Sequence, residues 1–149
     1  MKHHIKTYDV LKEEGTKILN LDTCCGMAYV SRLNGQNIVG WGHFLMRQTH
    51  SYTLEGLLNE MIEKGLGKKD VSAYLFGCGD DGSPEAIWLA KNNIRFVRKF
   101  LNDWEIFIKE DHTRNYQRTI VGISNKEIYA KFLSENNKID GHTIDLSKL

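Results

Sequence analysis

The residues whose types best suit chemistry lie in one stretch of the chain, where the thiol of Cys24 precedes the imidazole of His43. A cysteine thiolate is a strong nucleophile when a nearby imidazole or converging backbone N–H groups stabilise it. Because an imidazole titrates near neutral pH, His43 has the properties needed to take the thiol proton and later return it. The two residues are therefore a candidate nucleophile and base, provided that the chain folds them together.

Both residues also have plainer interpretations. Cysteine is among the most buried residue types, so Cys24 on its own is more typical of a structural thiol in the core. His43 on its own is more typical of a half-buried, hydrogen-bonded histidine in a sheet. If the segment is a strand, the adjacent Cys25 points to the opposite face, and the sequence leaves open which cysteine is the nucleophile.

Metal binding is a rival use of the same atoms. Zinc-type ligands are present at Cys24, Cys25, Cys78 and His43, but the chain has no Cys-x-x-Cys or His-x-x-x-His spacing. Adjacent cysteines rarely bind one ion in a tetrahedral site. We therefore expect no metal and no cofactor, with zinc on the cysteines as an alternative.

A hairpin would bring the thiol and the imidazole together. Asn34-Gly35 is the strongest hairpin signal in the chain, and it separates apolar runs at 26–33 and 37–46. In an antiparallel pair, residues that are distant in sequence lie side by side. The return strand would carry His43 back towards Cys24. Two glycines flank Trp41 on this strand and indicate a bulge or a close backbone approach.

The remainder of the chain predicts an α+β fold. Helical spacing of apolar residues indicates two main helices, one with Thr53 as its N-cap and Gly65 near its end, the other opened by Ser83 and Pro84. Alternating apolar residues indicate further strands at 17–21, 71–76, 105–109, 117–123 and 128–132, with a polar turn at 110–116 and a polar tail from 134. We expect two helices that cover a mostly antiparallel sheet.

Length and composition limit the classes of function. The 149 residues argue for a single domain spanning 1–149, and 41% hydrophobic with 26% charged residues is typical of a globular chain. A formal net charge of +1 gives no electrostatic case for nucleic-acid binding. The chain shows neither a secretory signal nor an apolar run as long as a membrane span. We therefore expect a cytoplasmic protein without membrane insertion.

The cysteine and histidine counts carry less information. Three cysteines, two of them adjacent, suggest no disulfide framework and a reducing compartment. Histidines in polar contexts are expected to be solvated, as is the basic face of the second helix; these residues are His50, His112, His142, Lys91, Arg95, Arg98 and Lys99. The adjacent His3 and His4 offer metal ligands, but a mobile chain end is the commoner interpretation.

The same stretch resembles CheD, the chemoreceptor glutamine deamidases of bacterial chemotaxis. In that family a strand ends in Leu-Gly-Ser-Cys, and a hairpin then returns to a histidine. The similar segments here are Leu21-Asp22-Thr23-Cys24 and His43-Phe44-Leu45-Met46. The resemblance implies a sandwich of the α/β/β/α type with a mostly antiparallel sheet.

Later segments resemble the family in the same order. A glycine-rich loop is similar to Phe76-Gly77-Cys78-Gly79, and the family's opening of the second helix is similar to Asn92-Asn93-Ile94. The most similar segment runs from Glu110-Asp111 to Arg118. Because each motif is short, their shared order over roughly 110 residues is the stronger argument.

The resemblance implies a cysteine amidohydrolase that turns a protein-bound glutamine into glutamate and releases ammonia. Cys24 would be the nucleophile and His43 the acid–base, with Thr23 or Asp22 as a substitute for the family's orienting threonine. Substrate-binding roles are implied for Gly77, Asn93, Asp111 and Arg118. The implied partner is a protein substrate that carries the glutamine, such as a chemotaxis or signalling protein.

Two departures from the family pattern favour an alternative function. Ile18 stands at the position of the orienting threonine and has no hydrogen-bonding group. Asp22 replaces a glycine and places a negative charge near the thiol, which opposes thiolate formation. The alternative is a catalytically inactive CheD-like binding module that docks a chemotaxis or signalling partner.

Overall fold

The structure is a computed structural model that describes residues 7–44, 50–114, 117–134 and 138–148. In these ranges the chain forms two α-helices, α1 (His50–Glu63) and α2 (Pro84–Asp103). The strands in the same ranges are β1 (Tyr8–Val10), β2 (Thr16–Leu21), β3 (Cys25–Leu33), β4 (Gln36–Phe44), β5 (Ser72–Gly77), β6 (Phe107–Thr113), β7 (Arg118–Ser124), β8 (Glu127–Leu133) and β9 (Ile139–Asp145).

The strands form two sheets. A five-stranded sheet has the order β1-β4-β3-β5-β6, and a four-stranded sheet has the order β2-β7-β8-β9. Neighbouring strands are antiparallel except β5 and β6, which are parallel because α2 connects them as a crossover. Since β2 lies in the second sheet and β3 in the first, residues 22–24 cross from one sheet to the other.

Two layers of apolar side chains hold these elements together. Both helices pack on one face of the first sheet, where Leu57 of α1 and Val97 of α2 join Met27 in one buried cluster. The opposite face packs on the second sheet, where Trp41 and Val121 belong to a second cluster. The described layers therefore run helices, first sheet, second sheet, and the predicted α+β class with two helices and mostly antiparallel sheets is confirmed.

The predicted hairpin between β3 and β4 is confirmed. Asn34 and Gly35 both have positive φ, 53° and 79°, as the tight turn requires, and Leu33 pairs with Gln36 beside them. The strand was also expected to include Leu45 and Met46, which lie outside the described residues. His3, His4, Asn115 and Tyr116 lie outside them as well.

The glycine positions in β4 are explained by the close approach of α1. A Cβ atom at Gly40 would lie 2.6 Å from Cδ1 of Leu57, and one at Gly42 would lie 3.2 Å from Cγ2 of Thr53. The prediction of a close approach at these glycines is confirmed. Because these glycines have no side chains, α1 packs directly against the backbone of β4.

Three predictions about element boundaries were wrong. Thr53 is not an N-cap, because α1 begins at His50 and the Thr53 hydroxyl is buried 2.7 Å from the hydroxyl of Thr7. The expected polar turn at 110–116 begins as strand, because β6 pairs with β5 through Thr113. The tail is not simply polar coil, because β9 pairs with β8 over its full length.

Cys25 and Cys78 form a disulfide, with their Cα atoms 4.7 Å apart, so the expectation of no disulfide was wrong. The strand register explains the pairing: Cys25 lies opposite Gly77, and Cys78 is the next residue. The two cysteines are 53 residues apart in sequence, and an odd cysteine count cannot reveal such a contact.

Within the described part of the chain, neither helix is both long enough and apolar enough to cross a membrane.

Candidate active site

The loop that carries Cys24 is fixed from several sides by hydrogen bonds. The Cys24 carbonyl accepts the backbone N–H of Cys78 at 2.8 Å, and the Asp22 carbonyl accepts that of Gly79 at 2.8 Å. The carbonyl between them, on Thr23, accepts the side-chain amide of Asn93 at 3.3 Å. The loop is therefore clamped by the residues after β5 and by α2.

Gly77, the last residue of β5, lies directly against the Cys24 loop. Its φ is +83°, and a Cβ atom there would lie 2.6 Å from the carbonyl oxygen of Cys24. A non-glycine residue would be strained in that backbone region and would also collide with the loop. The structure thus places Gly77 in direct support of Cys24.

The strand register brings His43 to the same face as Cys24. Gly26 lies directly opposite His43 in the β3–β4 pair, and Cys24 precedes Gly26 by two residues. Directly opposite residues share a face, and a position two residues away is a diagonal neighbour within reach of longer side chains. Cys24 packs against the cluster between the sheets, where Trp41 points from the same side of β4 as His43.

The imidazole of His43 is poised as a neutral base. Its Nε2 atom is buried and has no hydrogen-bond partner among the described residues. Burial lowers the pKa of His43 below its ordinary value, and the positive charge of Lys17 lowers it further. Lys17 itself lies over the ring of Trp41, with Nζ 4.2 Å from the ring centroid.

The Cys24 thiol is held in its protonated form. Burial raises the pKa of Cys24, and the negative charge of Asp22 raises it further, while a hydrogen bond with the Thr23 side chain lowers it. A thiol with a raised pKa beside an imidazole with a lowered pKa does not form a standing ion pair. This arrangement suits proton transfer at the moment of attack, with neutral His43 as general base.

Three of the other residues predicted for the site lie around the Cys24 loop. Asn93 contacts Thr23, and Gly77 contacts Cys24, as described above. Arg118 lies beside Asp22, with its Nε 3.3 Å from Oδ1 of that carboxylate, and both side chains are largely exposed. Arg118 thereby offsets part of the negative charge next to the thiol.

Asn93 and Asp111, both predicted for the site, differ in setting from the sequence-based expectation. Asn93 does not open a helix but lies in the middle of α2, which begins at Pro84, and it is buried with its Oδ1 lacking a hydrogen-bond partner among the described residues. Asp111 is bound by Arg98, at 2.9 Å, and accepts a hydrogen bond from Thr113. Arg98 is exposed, as expected for this helix face, and it binds Asp111 from the surface.

The disulfide resolves which cysteine keeps a thiol. Cys25 is bonded to Cys78 on the helix-covered face, whereas Cys24 remains a thiol at the sheet–sheet face. The alternative of zinc on the cysteines loses support, because the sulfurs of Cys25 and Cys78 are bonded to each other.

Lys17 is a site residue that sequence reasoning missed. Ile18, at the position of the family's orienting threonine, is 66% exposed and faces away from the core. Strand alternation puts Lys17 on the same side as Leu19, towards the sheet–sheet core, and this parity was the available signal. The β2 residue that affects His43 is therefore Lys17, whose positive charge lowers the pKa of the imidazole.

Two histidines that were expected to be solvated are instead half-buried between the sheets. His112 is stacked on Phe76, with ring centroids 5.6 Å apart, and its Nε2 lies 2.8 Å from Glu110. His142 reaches the same carboxylate oxygen from β9 at 2.8 Å. The expectation failed because β9, which supplies His142, was not predicted.

The fold and this loop define an α+β domain that places a thiol and a neutral imidazole on one face of a central sheet. Residues 50–136 match a family model described as CheD chemotactic sensory transduction, and the chain therefore belongs to the CheD family. The match covers α1, β5, α2 and β6 to β8, and begins after Cys24 and His43. A search of curated proteins found no match. Family membership implies chemotaxis proteins as partners.

Proposed function

We propose that this chain is a cysteine-dependent deamidase that converts a protein-bound glutamine side chain to glutamate and ammonia. The observation that carries the proposal is the strand register, in which Gly26 faces His43 and so sets Cys24 diagonally across from the imidazole. Membership of the CheD family supports a chemoreceptor or another chemotaxis protein as the substrate.

The proposed reaction begins with attack of the Cys24 sulfur on the side-chain amide carbon of the glutamine. The thiol proton passes to Nε2 of His43, which has no partner among the described residues and is neutral because its pKa is lowered. Backbone N–H groups around Cys24 hold the oxyanion of the tetrahedral intermediate.

Collapse of the intermediate breaks the carbon–nitrogen bond. His43 returns the proton to the nitrogen, and ammonia leaves behind a thioester on Cys24. Water, with His43 again as base, adds to the thioester and releases glutamate and the thiol. One amide and one water are consumed, and one carboxylate and one ammonium ion are formed, because the ammonia takes up the proton that the carboxylic acid releases.

The surrounding residues have positioning roles in this proposal. Thr23 hydrogen-bonds the thiol and lowers its pKa, against the effects of burial and of Asp22. Gly77 and Asn93 hold the loop from below, through the Cys24 and Thr23 carbonyls. Arg118 lies at the rim beside Asp22 and has a charge to offer a protein substrate. Asp111 would act through its ion pair with Arg98.

The test is incubation of purified chain with candidate chemoreceptors, followed by peptide mass spectrometry for conversion of glutamine to glutamate. We expect the mass shift to require both Cys24 and His43, so Cys24→Ser and His43→Ala abolish it. The matched control is His142→Ala, which removes a histidine on another strand and leaves the conversion in place. Conversion that persists in Cys24→Ser would refute the assignment.

A catalytically inactive binding module is the second candidate. The raised pKa of the Cys24 thiol favours it, since a protonated thiol is a poor nucleophile. The module would bind the same receptors without changing their mass. Binding that survives Cys24→Ala, together with absence of conversion in wild-type chain, would decide for the module and against the deamidase.

A further inference from the structure

A second group of reactive side chains lies between the sheets, apart from the Cys24 loop. It comprises Glu110 and His112 on β6 and His142 on β9, the edge strands at the same end of the two sheets. Both histidine Nε2 atoms lie 2.8 Å from the same carboxylate oxygen of Glu110. One ligand atom from each residue falls within 4.8 Å of the others. We refer to these three residues as the edge cluster.

The packing around the edge cluster holds its ligand atoms in place. The His112 ring is enclosed by Phe76 and Phe132, with ring centroids at 5.6 and 5.5 Å, and by the ring of His142 at 4.7 Å. The side chains of the cluster are 25–41% exposed, which leaves a route from solvent to their ligand atoms. A site of this kind is ordered yet accessible to an ion.

A buried hydroxyl adjoins the edge cluster. Tyr74 lies opposite Glu110 in the β5–β6 pair, so the two side chains share the face towards the second sheet. Tyr74 is fully buried, and its hydroxyl has no hydrogen-bond partner among the described residues. Such an unsatisfied buried group is costly and calls for a ligand or a bound water.

We propose that Glu110, His112 and His142 bind a divalent transition-metal ion, with Zn²⁺ as the best fit. Two imidazole nitrogens and one carboxylate oxygen are a zinc ligand set, and three protein ligands leave a fourth position open. Tetrahedral ligands about 2.0–2.1 Å from zinc lie roughly 3.3 Å apart. Each 2.8 Å distance from Nε2 to Oε1 would lengthen slightly, and the ligand atoms already lie within 4.8 Å of one another.

The bound ion would replace hydrogen bonds by metal–ligand bonds. Each Nε2 proton now directed at Glu110 is lost to solvent or moves to Nδ1, and each nitrogen lone pair then binds the ion. The open position would hold a water, on the sheet face that Tyr74 and Glu110 share. Because β6 and β9 belong to different sheets, the ion would link the two sheets at this end.

The experiment is calorimetric titration of the wild-type chain with ZnCl₂, with Co²⁺ absorption spectra as a report on coordination. We expect about one ion per chain, and a loss of affinity of at least tenfold in each of Glu110→Gln and His142→Ala. The Glu110 and His142 side chains are both partly exposed, so we expect each variant to fold, and circular dichroism verifies this. A double variant, His3→Ala with His4→Ala, is the matched control and retains wild-type affinity.

Three outcomes would overturn this proposal. They are the absence of binding to wild-type chain, binding that both Glu110→Gln and His142→Ala retain, and binding that the His3/His4 double variant loses. A Cys24→Ser variant keeps the zinc affinity under this proposal, so a failed deamidase assay and a failed metal titration are independent results. Thermal unfolding gives a second readout, since zinc should raise the Tm of wild type but not of His142→Ala.

Discussion

The charge next to the Cys24 thiol contributes to how readily that thiol ionises. Burial and then Asp22 raise its pKa, Thr23 lowers it, and Arg118 lies 3.3 Å from the Asp22 carboxylate. Because Asp22 is largely exposed, solvent screens its charge, and its effect is a modest adjustment of reactivity. The side chain is therefore a suitable position at which to vary the reactivity of Cys24.

We predict that Asp22→Asn speeds alkylation of Cys24 by iodoacetamide at neutral pH. Loss of the negative charge lowers the thiol pKa, so a larger fraction is thiolate. Arg118→Gln should act in the opposite direction, because it leaves Asp22 uncompensated. The rates are measured by mass spectrometry of the Cys24 peptide.

The control for this prediction is Asp103→Asn, which removes the same charge from the far end of α2. It should leave the alkylation rate unchanged. Equal rates in wild type and Asp22→Asn would contradict the role assigned to Asp22.

A second prediction concerns Lys17 and the base. Lys17→Gln removes a positive charge that lowers the pKa of His43, so that pKa should rise towards its ordinary value of 6.5. Protonated imidazole cannot accept the thiol proton, and the acidic limb of the pH–rate profile should move to higher pH. Titration of the His43 ring by NMR measures the same shift without an activity assay.

Lys69→Gln, an exposed lysine on the short 3₁₀ turn after α1, is the matched charge control and should not move the titration. A His43 pKa that falls or stays constant in Lys17→Gln would show that the lysine charge does not reach the ring.

At the scale of elements, the turn at the end of β5 supports the Cys24 loop. Gly77 and Gly35 have nearly equal positive φ values, +83° and +79°, but the space around them differs. A Cβ atom at Gly77 collides with the Cys24 carbonyl, whereas one at Gly35 meets nothing within 4 Å. A comparison of substitutions at the two glycines therefore distinguishes the cost of backbone strain, present at both, from the cost of collision, present only at Gly77.

We predict that Gly77→Ala lowers the free energy of unfolding by more than Gly35→Ala does. Both variants carry the cost of a strained backbone, about 1–3 kcal/mol, and Gly77→Ala adds the displacement of the loop. Urea denaturation measures both values. An equal loss of unfolding free energy in the two variants would mean that the Cys24 loop moves away from the new Cβ atom at no energetic cost.

Elements with strong local patterns could be predicted from the sequence, and those that depend on pairing could not. The Asn34-Gly35 turn and the Ser83-Pro84 helix start are local signals, and both are confirmed, with the Ser83 hydroxyl accepting the Ala86 N–H. β1 and β9 are short or polar and gain their order from β4 and β8. Their sequences alone carry too little alternation to indicate a strand.

The same division applies to the candidate site. The hairpin that returns His43 towards Cys24 was predictable because the Asn34-Gly35 turn is a local signal. Lys17 comes from another sheet, and the bond between Cys25 and Cys78 depends on the β3–β5 register. Contacts of this kind are products of tertiary structure, which no short motif encodes.

At the scale of the whole molecule, the first sheet couples the two cores. Its helix-covered face and its sheet-covered face share the same strands, so neither core can be lost without disturbing the other. Domains of this length commonly unfold in a single cooperative transition.

We predict that unfolding in urea is two-state, with coincident midpoints by two probes. Tryptophan fluorescence includes Trp41 in the sheet–sheet core, and far-ultraviolet circular dichroism follows all elements. An early fluorescence transition with intact circular dichroism would instead indicate that the second sheet separates first. The experiment is run without reductant, so that the disulfide stays intact throughout.

The second sheet takes one strand from near the beginning of the chain and three from near its end. During synthesis, at about 5–20 residues per second, β2 leaves the ribosome roughly 5–20 s before β7, the strand with which it pairs. The β3–β4 hairpin can close in that interval, but the strand that leads into Cys24 has no sheet to join. The nascent chain therefore completes its thiol loop only after β7 has been synthesised.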